Sequence, residues 1–186
     1  AALVVTSVDA ASYQKINGTI VDPIQSVWGG ALPYSGNNVE PYADLYYADL
    51  SGADLYRANL NYADLSDANL YYAILTDATL TGATLDFANL GFADLTGADL
   101  ESADLSLADL TGANLNSADL SSVDLTGAWI WGADLSDADL SGSILTDIQY
   151  NVDATWTDAF YDYRNEPTWD SGMDAAWRSS AGILRT

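Results

Sequence analysis

The side chains with chemical capacity in this chain are carboxylates and aromatic rings. The sequence carries 27 acidic residues against 5 basic ones, a formal net charge of −22, and has neither Cys nor His. Many acids recur at one fixed interval: Asp104 and Asp124 form one row, and Asp99, Asp119 and Asp139 another. Paired carboxylates run glycoside hydrolysis, one as acid and the other as base or nucleophile. Here every such pair follows from a repeat, so none is marked out for catalysis. A Ser nucleophile needs a base, and no His supplies it. No Gly-rich phosphate loop occurs. Without Cys or His there is no disulfide framework, thiol chemistry or imidazole metal site. Rows of hard oxygen ligands suit Ca²⁺, but calcium-loop spacing is absent. The expectation is a non-enzymatic protein with no catalytic residue, small-molecule substrate or cofactor, Ca²⁺ on the Asp rows being the one weak alternative.

These carboxylates sit in a five-residue phrase that runs without a gap from Ala43 to Asp147, 21 phrases over 105 residues. Its first position is Ala in 19 phrases, the exceptions being Val123 and Ser143. Its third is Leu in 20, with Ile130 the exception, and its second is Asp or Asn in 16. On an α-helix, five residues advance the chain by about 140°, which spirals Leu round the surface and leaves no buried stripe. On a strand, side chains two apart share a face, so Ala and Leu of one phrase point the same way. The next Ala lies three further on, so the chain must bend once per phrase to keep each pair inward. Four bends of roughly 90° close a square coil, and coils stacked ~4.8 Å apart pair backbone with backbone. Asp at the second position is then structural, a short side chain hydrogen-bonding amides at the bend.

Ala43-Asp44-Leu45, Ala58-Asn59-Leu60 and their kin resemble the A(D/N)Lxx motif of the pentapeptide-repeat family. The resemblance covers 105 of the 186 residues. It implies an all-β fold, a right-handed quadrilateral β-helix or β-solenoid. No single repeat of this kind can bury its own core, so stacking supplies it.

Positions four phrases apart lie above one another in such a coil, which sorts the outward positions into four sides. The side centred on Leu45, Leu65, Leu85 and Leu105 displays Tyr46, Tyr47, Phe87 and Leu107. The next, centred on Leu50, Leu70, Leu90, Leu110 and Ile130, displays Tyr71, Tyr72, Phe92, Trp129 and Trp131. Tyr72 falls over Phe92, and Phe87 over Leu107. The other two sides carry mainly Ser, Thr, Gly, Asn and Asp, with Tyr56 and Tyr62 near the start. Aromatic residues on two adjacent sides are a candidate interaction surface, unless the terminal segments cover them.

The ends divide the chain into residues 1–42, an N-terminal cap or edge segment; 43–147, the solenoid; and 148–186, an aromatic C-terminal segment with a short helix. Leu3, Val4, Val5 and Val8 form an uncharged β-prone stretch. Ser12–Ile16 and Thr19–Asp22 flank Asn17-Gly18, a two-residue hairpin signal. After Pro167, Ser171-Gly172-Met173-Asp174 resembles a capping box. It predicts a helix from about 171 to 181, stopped at Gly182. Asp174 and Arg178 have pairing spacing on it, and Trp177 is expected over the open end of the last coil.

Charge of this sign repels nucleic acid and anionic membrane. No apolar run approaches the ~18 residues of a membrane span. Little Lys, no Cys and much Ser, Thr, Tyr and Trp point to a secreted or extracellular protein, with periplasm or lumen as the alternative. The expected partner is another copy of itself. The 21 phrases make 5.25 coils, so the stack ends on an unfinished turn. Leu3, Val4, Val5 and Val8 at one end, with Trp156 and Trp177 at the other, are candidate end-to-end contacts. A head-to-tail contact that does not close makes a filament, so an extracellular fibre or surface layer is the expectation. Two alternatives stand beside it. The family resemblance implies a DNA-like acidic mimic that binds gyrase, although such relatives carry many Phe at the central position where this chain has Leu. The other is a monomeric periplasmic or lumenal repeat protein.

Overall fold

The computed structural model describes residues 13–14, 20–21, 25–26, 40–151, 153–162 and 164–186. From Ala43 onward the chain winds as a right-handed quadrilateral β-helix. Each second-position residue bridges in parallel to its counterpart one coil further on: Asp44 to Asp64, Asn69 to Asn89, Asp104 to Asp124. Leu45 N donates to Asp64 O (2.7 Å) and Asp64 N to Ala43 O (2.9 Å), a ladder that repeats along the stack. Leu65, Leu85 and Leu105 are fully buried, as is every other Leu at the third position. Val123 and Ile130 keep the core apolar where the motif varies. Ser143, also buried, satisfies its hydroxyl by donating to Leu140 O (2.9 Å).

Each corner is a four-residue turn, closed for example by Ala48 N donating to Leu45 O (2.9 Å). Its third residue is the fifth of the phrase and has positive φ throughout, as in a type II turn. Gly fills a third of these corner positions; at the rest, Tyr47, Phe87 and Leu107 among them, φ lies between 55° and 61°. The second-position Asp or Asn stabilises the same corner. In every phrase that carries one, its Oδ1 accepts the amide two residues on, as in Ser106 N to Asp104 Oδ1 (2.9 Å).

At the N-terminal side, β1 (Tyr13–Gln14) pairs antiparallel with β2 (Ile20–Val21), with Gln14 opposite Ile20. That is one residue out of the register of a two-residue Asn17-Gly18 turn, which would set Gln14 opposite Val21; the turn itself lies outside the described residues. β3 (Gln25–Ser26) runs antiparallel to β4 (Ala53–Asp54) and so pairs with the edge of the first coil. The expected strand at Leu3, Val4, Val5 and Val8 lies outside the described residues.

The coil does not stop where the motif fades at Asp147. Gln149 bridges Trp129, Thr155 bridges Asp134, and Phe160 bridges Asp139, with one residue inserted before Thr155. Tyr150, Trp156 and Tyr161 occupy the places held elsewhere by Leu, with Trp156 and Tyr161 buried. These three further sides complete six turns. Leu is replaced by larger rings, so the periodicity in type is lost while the periodicity of burial persists. The chain then makes a last, looser turn: β7 (Thr168–Trp169) lies parallel on β5 (Ile144–Leu145), and β8 (Leu184–Arg185) on β6 (Phe160–Tyr161).

Between β7 and β8 sits α1 (Ala175–Ser180), shorter than the span 171 to 181. Asp174 is its N-cap, accepting from Trp177 N (2.8 Å), so the turn at Ser171-Gly172 precedes the helix. That hydrogen bond takes the Asp174 carboxylate away from Arg178, whose guanidinium pairs with Glu166 instead (3.6 Å). Gly182 follows the helix with φ +83°. Met173 and Ile183, either side of α1, are buried in the core.

Candidate interaction surface

The outward residues are set by the corner geometry. Fourth- and fifth-position side chains project from each turn, and the second-position Trp129 also points outward, because the first and third positions are committed to the core. Tyr46, Tyr47, Tyr71, Tyr72, Phe87, Phe92, Leu107, Trp129 and Trp131 are all exposed, Tyr71 least at 36% and Tyr47 most at 66%. They line two adjacent sides. Tyr72 stacks on Phe92 one coil away (5.3 Å between centroids, 18° between planes), and Tyr71 meets the same ring edge-on at 5.8 Å. Trp129 and Trp131 lie side by side with near-parallel rings, 5.9 Å apart. Tyr46 and Tyr47 touch at 4.2 Å. A hydrogen bond with Tyr47, followed by partial desolvation, pushes the Tyr46 phenol from 10.0 up to about 12. Desolvation, then a hydrogen bond with Tyr72, raises Tyr71.

Three large fifth-position side chains, Tyr62, Phe92 and Leu107, lean over a glycine of the next coil. A Cβ added at Gly112 would lie 2.6 Å from the Phe92 ring, and one at Gly127 would lie 2.7 Å from Leu107 Cδ2. Gly82 stands in the same relation to Tyr62, at 2.6 Å. The large residue thus leans along the solenoid axis over a bare backbone, which raises its buried fraction and orients it. Tyr42, which stacks on Tyr62 at 5.1 Å, belongs to this set. It was hidden in the sequence because no Ala-Asp-Leu phrase precedes it. The available signal was the column of positions 42, 62 and 82, which reads Tyr, Tyr, Gly at twenty-residue spacing.

Charge is distributed unevenly around the coil. Of the acids in the repeats, the side running through residues 48–52, 68–72, 88–92, 108–112 and 128–132 holds only Asp49 and Asp109. The side before it holds seven. The aromatic strip therefore straddles the least acidic side, with Tyr71, Tyr72, Phe92, Trp129 and Trp131, and the most acidic one, with Tyr46, Tyr47, Phe87 and Leu107. Stacked acids elsewhere are held by local hydrogen bonds. Burial raises the Asp134 carboxyl, but hydrogen bonds from Ser136 and Thr155 (2.6 Å) outweigh it and hold the group below the ordinary 3.8. Among the described residues no group of three or more acidic side chains is arranged to hold a metal ion.

The candidate end contacts come out differently. Trp156 is 3% exposed and is part of the core, so it is removed from the set. Its large ring takes the place of Leu inside the sixth coil. Trp177 is half-buried, edge-on to Tyr150 (5.4 Å) and to Trp156 (5.7 Å), so much of its surface is used within the chain.

A family profile for pentapeptide repeats matches in 8 copies, with matched segments 48–86, 63–101, 88–127 and 108–147. The chain belongs to the pentapeptide-repeat family. This pentapeptide-repeat chain is 35% identical to Rfr23, a pentapeptide repeat protein of the cyanobacterium Cyanothece 51142, over 54% of its own length and 65% of that chain, at TM-score 0.36. The match thus spans just under two thirds of that relative. It is 32% identical to HetL, a protein of Nostoc sp. strain PCC 7120 involved in heterocyst differentiation regulation, over 66% of this chain and 70% of that one, at TM-score 0.41. It is 31% identical to a pentapeptide repeat protein of the Arabidopsis thaliana thylakoid lumen, over 67% and 79%, at TM-score 0.33. No curated protein sequence matches the chain.

Proposed function

We propose that this pentapeptide-repeat protein is a non-enzymatic, exported structural protein that associates with copies of itself side to side. The observation that carries the reading is the ring cluster of Tyr71, Tyr72 and Phe92, exposed on the least acidic side of a chain of net charge −22. Two such molecules repel over most of their surface. Only where acids are sparse can apolar area be buried without bringing carboxylates together. Lateral contact replaces the end-to-end contact through Trp156 and Trp177, because the chain's own last turn and α1 engage those rings. The strip is about 20 Å long over four to five coils at ~4.8 Å each. Taken as about as wide as it is long, it offers roughly half of the ~800 Å² per partner of a standard interface, so each contact is weak and a sheet or fibre holds by many of them. Among the described residues no helix is long and apolar enough to cross a membrane.

The test is sedimentation velocity across a concentration series, with electron microscopy of the concentrated samples. The expected result is association that strengthens with salt and is lost in a Tyr72→Ser/Phe92→Ser variant. A wild type that stays monomeric throughout, with no ordered assemblies, overturns the reading. The net charge also supports a second reading, an acidic duplex mimic that binds a DNA-processing enzyme such as gyrase. Inhibition or protection of gyrase in a supercoiling assay would favour it, at the expense of self-association.

A further inference from the structure

Leu107, Gly127, Trp129, Trp131, Asp147 and Gln149 line an open groove of about 500 Å³, where the strongly acidic side meets the aromatic one. Two near-parallel indoles, each about half exposed, form one wall. Asp147 and Gln149, one with a carboxylate and one with a primary amide, complete its lining. The Gln149 amide nitrogen donates to Asp147 O (3.0 Å), which leaves its carbonyl oxygen to accept. The groove therefore offers π faces and acceptors.

The chain shows twice what such a combination holds. Arg57 lies over the Tyr56 ring (5.2 Å) and pairs with Asp77 (3.3 Å). Arg178 lies over the Trp169 ring (4.8 Å) and pairs with Glu166 (3.6 Å). In both, a guanidinium lies over an aromatic face beside a carboxylate, hydrogen-bonded from Arg57 Nε to Asp77 and paired by charge alone between Arg178 and Glu166. The groove repeats the ring and the carboxylate. With 5 basic residues in the whole chain, the cation is expected from elsewhere.

We propose that this groove docks an arginine side chain of a basic partner protein. The guanidinium stacks on Trp131 or Trp129 and donates to the Asp147 carboxylate and the Gln149 carbonyl. Arginine fits better than lysine because its planar fork stacks on rings and spans two acceptors, whereas an ammonium is a compact, strongly hydrated charge. Net charge of −22 steers a basic chain to this surface before the contact forms. The proposal uses residues apart from Tyr72 and Phe92 and is independent of self-association.

The test uses the full chain and follows the Trp indole N–H resonances by NMR. The probes are a short Gly/Ser peptide with a central Arg-Arg pair, its Lys-Lys counterpart and a neutral glucan oligosaccharide. The arginine peptide is expected to shift the indoles of Trp129 and Trp131 saturably, several-fold more tightly than the lysine peptide. Asp147→Asn should weaken it about tenfold, while the charge-matched control Asp67→Asn leaves it nearly unchanged. Trp131→Ala should abolish it with the unfolding midpoint preserved. If that variant loses stability, the comparison of Asp147→Asn with Asp67→Asn decides. Equal response to both peptides, insensitive to Asp147→Asn and Trp131→Ala, would reduce the effect to diffuse attraction and overturn the proposal. So would indole shifts with the glucan and none with the arginine peptide.

Discussion

Gly112 and Gly132 occupy the same corner one coil apart, with φ +68° and +66°, yet their surroundings differ. A Cβ at Gly132 meets nothing within 4 Å, while one at Gly112 falls 2.6 Å and 2.7 Å from two carbons of the Phe92 ring. Gly132→Ala therefore measures the backbone alone. The left-handed conformation costs an alanine ~1–2 kcal/mol. A stiffer unfolded chain returns ~0.4–1 of that, for a net loss of about 1 kcal/mol. Gly112→Ala carries the same backbone loss and must also displace Phe92. The ring is 47% exposed and can swing outward, so the extra loss is that of its stack on Tyr72, 5.3 Å away. Such a stack is worth about 1 kcal/mol. The expected losses are ~1 kcal/mol for Gly132→Ala and ~2 kcal/mol for Gly112→Ala. Urea unfolding followed by circular dichroism reads both, provided the slopes agree. In a Phe92→Ala background the two glycine substitutions should cost the same, which isolates the ring contact as a coupling of ~1 kcal/mol. Equal losses in the parent chain, or a difference that survives Phe92→Ala, would refute the view that the rings rest on bare backbone.

Other consequences follow from the corners and their hydrogen bonds. Asp109→Ala removes the acceptor of Thr111 N (2.9 Å) and should cost ~1 kcal/mol in the same assay, whereas Asp109→Asn keeps the acceptor and should cost much less. Tyr47→Phe should bring the Tyr46 phenol back from about 12 towards 10.0 in a spectrophotometric tyrosinate titration. Since that folded value is raised, the Tyr46–Tyr47 contact stabilises fully below 10.0 and is lost as pH rises through 12, so the parent and Tyr47→Phe should converge in stability there. Thr155→Val removes one of the bonds that hold Asp134 low. A depressed carboxyl stabilises above its unfolded pKa, near 3.8, and less as pH falls through the folded one, so the stability gap should be widest at neutral pH and close in acid.

The solenoid was legible because its period violates both regular structures. A five-residue spacing of Ala and Leu leaves only a chain that bends once per phrase, and the parallel bridges from each coil to the next are that solution. The second-position Asp was legible too, since its short side chain reaches the amide two residues on in any such bend. Sequence sorted the aromatics by side, because side depends only on where a phrase falls in each group of four. It misplaced Trp156, since a Trp beyond the last clear phrase reads as surface or core with equal ease. It also ended the coil at Asp147, because recognition followed residue type while the structure follows burial.

Sequence alone thus determined the coil, its corners and the faces on which rings stand, all of which are local and repeat with the phrase. Only the tertiary structure decided which rings remain free. It drew Trp156 inside, set Trp177 against it, and seated Phe92 and Leu107 over glycines of the next coil. It also joined Trp129, Trp131 and Asp147 around one groove. These outcomes depend on neighbours a full coil or more away, where one-residue insertions and the competition among large side chains for the last core positions override the period.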